Sequence, residues 1–181
     1  MIKLTLDDNE FPFKGFNHTR NVARGIVFFE DGKIAIHTIH RDDIFGCQTY
    51  YETPGGGVDD GETPAMAVVR ECEEELGYLV EAFDEIGIVE DAYNLIGRKN
   101  INTYFACFAK EKTKKHFESE GDTLIIETKH YSLEEAISLF ESQNDRLVAG
   151  LVKRRELPIL KEALSKMPEW KDKLDSFILS K

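Results

Sequence analysis

Cysteine is scarce in this 181-residue chain, and its three copies, Cys47, Cys72 and Cys107, lie far apart with no CxxC pair. That spacing excludes a disulfide framework and a cysteine-based zinc site, and it reads as reduced thiols in a cytoplasmic protein. Positive charge is also short, since 23 Lys and Arg stand against 34 Asp and Glu for a net charge of −11. Such a balance opposes sequence-independent binding to a phosphate backbone, so nucleic acid is not expected as the main partner. An anionic small molecule would need a metal to offset the field. No apolar run is long enough to span a bilayer, and the opening residues MIKLTLDDNE lack the basic start and apolar stretch of a signal peptide. Neither an internal repeat nor a low-complexity tract is present. What remains is 41% hydrophobic and 31% charged, the make-up of a soluble globular protein, at a length suited to one domain over residues 1–181.

The most informative stretch is GGGVDDGETPAMAVVRECEEELGY, from Gly55 to Tyr78. Thr63 can cap a helix, Pro64 suits its first position, and Gly77 suits the left-handed residue that ends it, so a helix is expected over Pro64 to Leu76. At about 100° per residue, Ala65, Val68, Val69, Cys72 and Leu76 share one face, and Glu71, Glu74 and Glu75 cluster on the other. Like charges at i,i+3 and i,i+4 repel by a few tenths of a kcal/mol. A hard divalent cation would turn that repulsion into coordination. Three glutamates alone read as a solvated acidic helix face.

The flanking residues alter that reading. Gly56, Glu62, Arg70, Glu71, Glu74, Glu75 and Gly77 meet the spacing G-x5-E-x7-R-E-x2-E-E-x-G, which arises by chance about once in 10⁸ registers at average residue usage. This stretch closely resembles the signature of the Nudix hydrolases. Cys72 and Tyr78 stand where that family usually has an aliphatic residue, and neither position bears on the chemistry.

Along the rest of the chain, strands are expected at Ile2 to Leu6, Val22 to Phe29, Lys33 to Ile39, Thr49 to Thr53, Val80 to Val89, Thr103 to Ala109 and Leu124 to Tyr131. Phe11, Phe13 and Phe16 read as an arm packed on the domain, and Asn94 to Asn100 as a turn carrying Arg98 and Lys99. Ser132 to Glu135 is a capping box opening a short helix to about Phe140. Asp145 is expected to cap a further helix that Pro158 interrupts, with a last helix from Pro168. Lys153, Arg154 and Arg155 read as a basic cluster on a solvated face. His37 and His40 lack any partner at metal-ligand spacing and read as satisfied or exposed histidines.

The order of elements describes an α/β domain. The resemblance implies the Nudix α/β/α sandwich with a mixed β-sheet, a core at about 22–140 and a helical extension at about 145–181. It further implies Mg²⁺ or Mn²⁺ held by Glu71, Glu74, Glu75 and the Gly55 carbonyl, with Arg70 and Glu62 supporting these groups from behind. Catalysis would fall to Glu71, Glu74 and Arg70. The general base is left open between Glu71 and the loop residues Glu118 and Glu120. Arg24 and Arg41 are candidate phosphate contacts, and Tyr93 is a candidate base-stacking contact. The expected activity is hydrolysis of a phosphoanhydride in a nucleoside di- or polyphosphate derivative, and a homodimer is one assembly kept open. The competing expectation is a regulatory module that binds a nucleotide-sugar without cleaving it.

Overall fold

The computed structural model describes residues 1–116 and 122–180. The described residues form eight strands: β1 (Ile2–Leu6), β2 (His18–Phe28), β3 (Ile34–Asp43), β4 (Gly46–Glu52), β5 (Gly55–Gly57), β6 (Tyr78–Tyr93), β7 (Arg98–Lys112) and β8 (Ile125–Tyr131). Three α-helices accompany them: α1 (Pro64–Leu76), α2 (Leu133–Ser142) and α3 (Leu147–Leu179). The sheet runs β1-β6-β7-β2-β3-β4, with β5 on β2 and β8 on β3. β1 pairs with β6, and β2 with β7, in parallel; the remaining pairs are antiparallel, which makes the sheet mixed.

β2 and β3 are paired only at Phe28 and Ile34, beside the turn that joins them. Beyond it the two strands part, β2 taking β5 on that edge and β3 taking β8. The gap between them becomes the cavity described below.

Alternation along β2 sends side chains to two cores. Ala23, Val27 and Phe29 pack with Ala67, Val68 and Cys72 of α1, together with Phe105 and Cys107 of β7. Ile26 and Phe28 turn to the other face, where Tyr104, Ala106 and Phe108 meet α2 and α3. One helix covers one face of the sheet and two cover the other, giving the expected α/β/α sandwich.

Several expectations are corrected. The chain from Leu147 to Leu179 is one helix that passes through Pro158 and Pro168 rather than breaking. Each interior proline costs about 3 kcal/mol, a cost that the burial of Leu151, Val152, Ile159, Leu160, Ala163, Trp170, Leu174 and Phe177 offsets. Asp145 does not cap this helix; the N-cap is Arg146, and Asp145 pairs instead with Lys153. Arg98 and Lys99 belong to β7 rather than to a turn, because their backbones continue the parallel ladder with His18 and Thr19. In the arm only Phe11 packs, against Phe45, whereas Phe13 and Phe16 are exposed and touch each other. No helix of the described residues is long and apolar enough to cross a membrane.

Candidate active site

Helix α1 begins and ends as its sequence dictates. The Thr63 side chain accepts from the Met66 N–H, Pro64 opens the helix, and Gly77 closes it at φ 70° with its N–H on the Glu73 carbonyl. Its acidic face is not solvated. Glu71, Glu74 and Glu75 are only 7%, 4% and 6% exposed, and Ala65, expected on the packed face, is exposed while Ala67 is buried. The cover comes from β5, a segment of three glycines short enough in side chain to lie directly on the carboxylates. A Cβ at Gly56 would overlap the Glu71 carboxylate.

Each glutamate is held by a named partner. Arg70 Nη1 donates to Glu71 Oε1 at 2.9 Å and to Glu74 Oε1 at 3.4 Å. The other edge of the same guanidinium donates to both carboxylate oxygens of Glu62, at 3.1 and 2.8 Å, and to the Gly57 carbonyl at 2.8 Å. The hydrogen bonds from Arg70 hold the Glu62 carboxyl below its ordinary pKa. Glu75 Oε2 accepts the Gly55 N–H at 2.8 Å and lies 3.1 Å from His37 Nε2. His37, buried, has its Nδ1 2.8 Å from Thr128 Oγ1 on β8. It is a satisfied histidine, as its sequence surroundings suggest, but the group that satisfies it is part of the glutamate cluster.

These residues form the floor of a cavity of about 460 Å³, whose walls come from β2, β3, β4, β6, β7 and α3. Burial raises the Glu71 pKa to about 7; the hydrogen bond from Arg70 opposes the rise, and the charges of Glu75 and Glu74 add to it. One arginine thus stabilises the cluster incompletely, a deficit that a divalent cation would make good. Among the described residues no three His, Cys, Asp or Glu side chains converge on a single point, because Glu71 and Glu74 turn to Arg70 and Glu75 turns to His37. The donor set nonetheless suits a hard ion, since it consists of buried carboxylate oxygens beside a glycine backbone.

Arg24, Arg41 and Tyr93 also line the cavity. Arg24 is spoken for: it lies 2.7 Å from Glu52 and donates to the Thr53 carbonyl at 2.9 Å. Burial works against its charge, yet Glu52 and Glu156 hold its pKa above the ordinary value. Arg41 pairs with Asp43 at 2.7 Å. The Tyr93 ring is 5% exposed, with Arg98 across it at 5.1 Å and Phe45 edge-on at 5.8 Å, so little of it is free to take a base. Glu118 and Glu120 lie outside the described residues.

Sequence reasoning missed the opposite wall. Arg155, read as one of a solvated basic cluster, is 2% exposed and bonds Glu52, Asp91 and Glu156. Glu156 in turn accepts from Thr53 Oγ1 at 2.6 Å and from the Tyr104 hydroxyl at 2.8 Å. The available signal was helical spacing, since Arg155 falls four residues after Leu151, three after Val152 and four before Ile159, on the apolar stripe itself.

The domain is thus an α/β sandwich on a mixed sheet, with a carboxylate-bearing helix packed under a glycine strand at the floor of a cavity. The sequence matches the NUDIX domain over residues 19–151. This chain belongs to the NUDIX family. An RNA pyrophosphohydrolase from Gluconobacter oxydans is 44% identical over 54 residues, which is 29% of each chain. A NUDIX hydrolase structure from Nitrosomonas europaea aligns with a TM-score of 0.54 at 16% identity, covering 67% of this chain and 78% of its own. The MutT protein of Methanosarcina mazei Go1 aligns at 0.54 with 19% identity, over 79% and 95%. At those identities the structural likeness speaks for the fold.

Proposed function

We propose that this chain is a divalent-metal-dependent hydrolase that cleaves a phosphoanhydride bond in a nucleoside di- or polyphosphate derivative. The observation that carries the reading is the burial of Glu71, Glu74 and Glu75 on the floor of an arginine-lined cavity, under the Gly55–Gly57 strand. Three buried carboxylates add nothing to packing and repel one another, so their joint position makes sense as a cation site.

Glu71, Glu74, Glu75 and the Gly55 carbonyl would hold Mg²⁺ or Mn²⁺, which relieves charge on the phosphate oxygens and aligns a water with phosphorus. The rest falls to the chain's own groups. Arg70, anchored by Glu62 and the Gly57 carbonyl, fixes the rotamers of Glu71 and Glu74. His37 and the Gly55 N–H do the same for Glu75. Glu71 would take the proton of the attacking water at its carboxylate oxygen, or would serve only to bind metal and leave that step to Glu118 or Glu120.

The test is a screen of purified protein with Mg²⁺ against nucleoside triphosphates, dinucleoside polyphosphates, ADP-ribose, nucleotide-sugars and NADH, scoring released phosphate or mononucleotide. Turnover of at least one is expected. Refusal of all, with tight binding of one, would overturn hydrolysis and favour a regulatory binding module.

A further inference from the structure

Six arginines line the cavity: Arg20, Arg24, Arg41, Arg70, Arg98 and Arg155. Four are neutralised. Arg24 and Arg155 share Glu52 and Glu156, and Arg155 also meets Asp91. Arg41 has Asp43, and Arg70 has Glu62 and Glu71. Arg20 and Arg98 differ, because among the described residues neither has a carboxylate within ion-pair distance or a hydrogen bond from its guanidinium.

Those two are neighbours on adjacent strands, since the parallel register sets Arg98 opposite His18 and Arg20 opposite Asn100. Arg20 lies against the glycine strand, where a Cβ at Gly57 would stand 3.2 Å from its Nη2. Arg98 has a buried Nε with no partner, and its guanidinium lies over the Tyr93 ring, which is itself fixed edge-on by Phe45. Burial lowers the Arg98 pKa; Tyr93 and Asp91 oppose that fall, and the charges of Arg20 and Arg155 add to it. In a chain of net charge −11, two neighbouring guanidiniums without an ion pair or a hydrogen bond among the described residues leave room for an anion from outside.

We propose that Arg20 and Arg98 form an anion subsite that takes a phosphoryl group of the substrate beyond the diphosphate met by the glutamate helix. The substrate class is then a nucleoside triphosphate or longer polyphosphate, rather than a diphosphate joined to an uncharged group. A guanidinium fork matches phosphate oxygens in geometry as well as charge, and two free forks supply the two positive charges that a terminal phosphoryl group calls for. The assignment rests on the hydrolase reading for the identity of its ligand, but not for the existence of the subsite.

Two measurements separate these. In the first, KM and kcat are compared for a nucleoside triphosphate and the matching diphosphate with Mg²⁺. Arg20→Ala and Arg98→Ala should each raise KM for the triphosphate about tenfold or more and leave KM for the diphosphate and both kcat values nearly unchanged, with Arg98→Lys recovering part of the loss. An equal shift for both substrates, or none, would overturn the subsite. In the second, inorganic triphosphate is titrated calorimetrically into the metal-free protein, with thermal melts confirming that each variant is folded. Arg98→Ala should weaken binding about tenfold, and Arg41→Ala, which removes an already paired arginine, should leave it unchanged. If no phosphoanhydride is cleaved yet this dependence on Arg98 persists, the subsite stands and the hydrolase reading falls. If hydrolysis proceeds while Arg98→Ala binds inorganic triphosphate as well as the wild type, or Arg41→Ala loses as much as Arg98→Ala, the subsite falls.

Discussion

Gly56 and Glu71 compete for one volume, since a Cβ added to the glycine would occupy the space of the glutamate's carboxylate. The adjacent Gly55 is constrained differently, by the backbone carbonyl of Ala23 and by a φ of 135°. The two substitutions should therefore part company. Gly56→Ala displaces the end of a side chain and should leave the melting temperature nearly unchanged while lowering kcat by about 10²-fold, the scale of a misplaced catalytic group. Gly55→Ala strains backbone and should destabilise the fold by about 1–3 kcal/mol. Melts and kinetics on the two variants check this contrast; equal loss of activity with equal loss of stability would contradict it.

Glu74→Gln and Glu75→Gln should lower Mg²⁺ affinity and rate together, since each removes a charge from the cluster and no apolar contact. Glu62 holds Arg70 and the Asp59 N–H and touches none of the three glutamates, so Glu62→Gln should cost less, within about 10–100-fold in metal affinity. Wild-type kcat at limiting Mg²⁺ in either of the first two variants would remove that residue from the ligand set. Glu71→Gln at saturating metal addresses the base: a large loss of kcat assigns the proton to Glu71, whereas recovery by metal leaves it a ligand and points to Glu118 and Glu120.

Metal binding should be linked to pH through Glu71. Its carboxyl is raised to about 7 by burial, against an ordinary value of 4.5, so a cation must displace a proton below that pH. Apparent Mg²⁺ affinity should rise by up to about tenfold per unit as pH approaches 7 and level off above it. In the metal-free protein the sign is reversed. The folded state binds the extra proton, so this group's share of stability is present at low pH and is lost as pH rises from 4.5 through 7. Calorimetry in buffers of different ionisation enthalpy, with melts in chelator at pH 5.5 and 8, measures both effects.

Arg155→Met would leave Asp91, Glu52 and Glu156 with less compensation inside the fold. Removing one member of a buried ion network costs about 3–5 kcal/mol, and at this chain length each kcal/mol lowers Tm by about 2–4 °C. Arg154→Met, one residue earlier on the helix, touches Asp7 and Asn9 at the surface and should cost much less. Equal costs would return Arg155 to the solvated face.

That pair of arginines shows where the sequence stops being legible. The bounds of helix α1 could be read to the residue, because Thr63, Pro64 and Gly77 act on their own neighbours, and Glu71, Glu74 and Glu75 sit at fixed angles. Whether those glutamates face water depends on β5 lying across them, a contact between residues up to 20 positions apart that no local pattern encodes. Arg155 reaches the site from 64 residues beyond Asp91, and Pro158 and Pro168 signal breaks that packing overrides. Arg20 and Arg98 become a pair only through the parallel register of β2 and β7, and parallel pairing leaves no turn in the sequence to announce it.

On the proposed function, the buried glutamates hold a divalent ion that hydrolysis requires. Purified protein is dialysed against EDTA, and the best substrate of the screen is assayed before and after Mg²⁺ or Mn²⁺ is returned. Activity should vanish on chelation and return with the ion in wild type, and fail to return at the same ion concentration in Glu75→Gln. Undiminished turnover after exhaustive chelation would contradict the account.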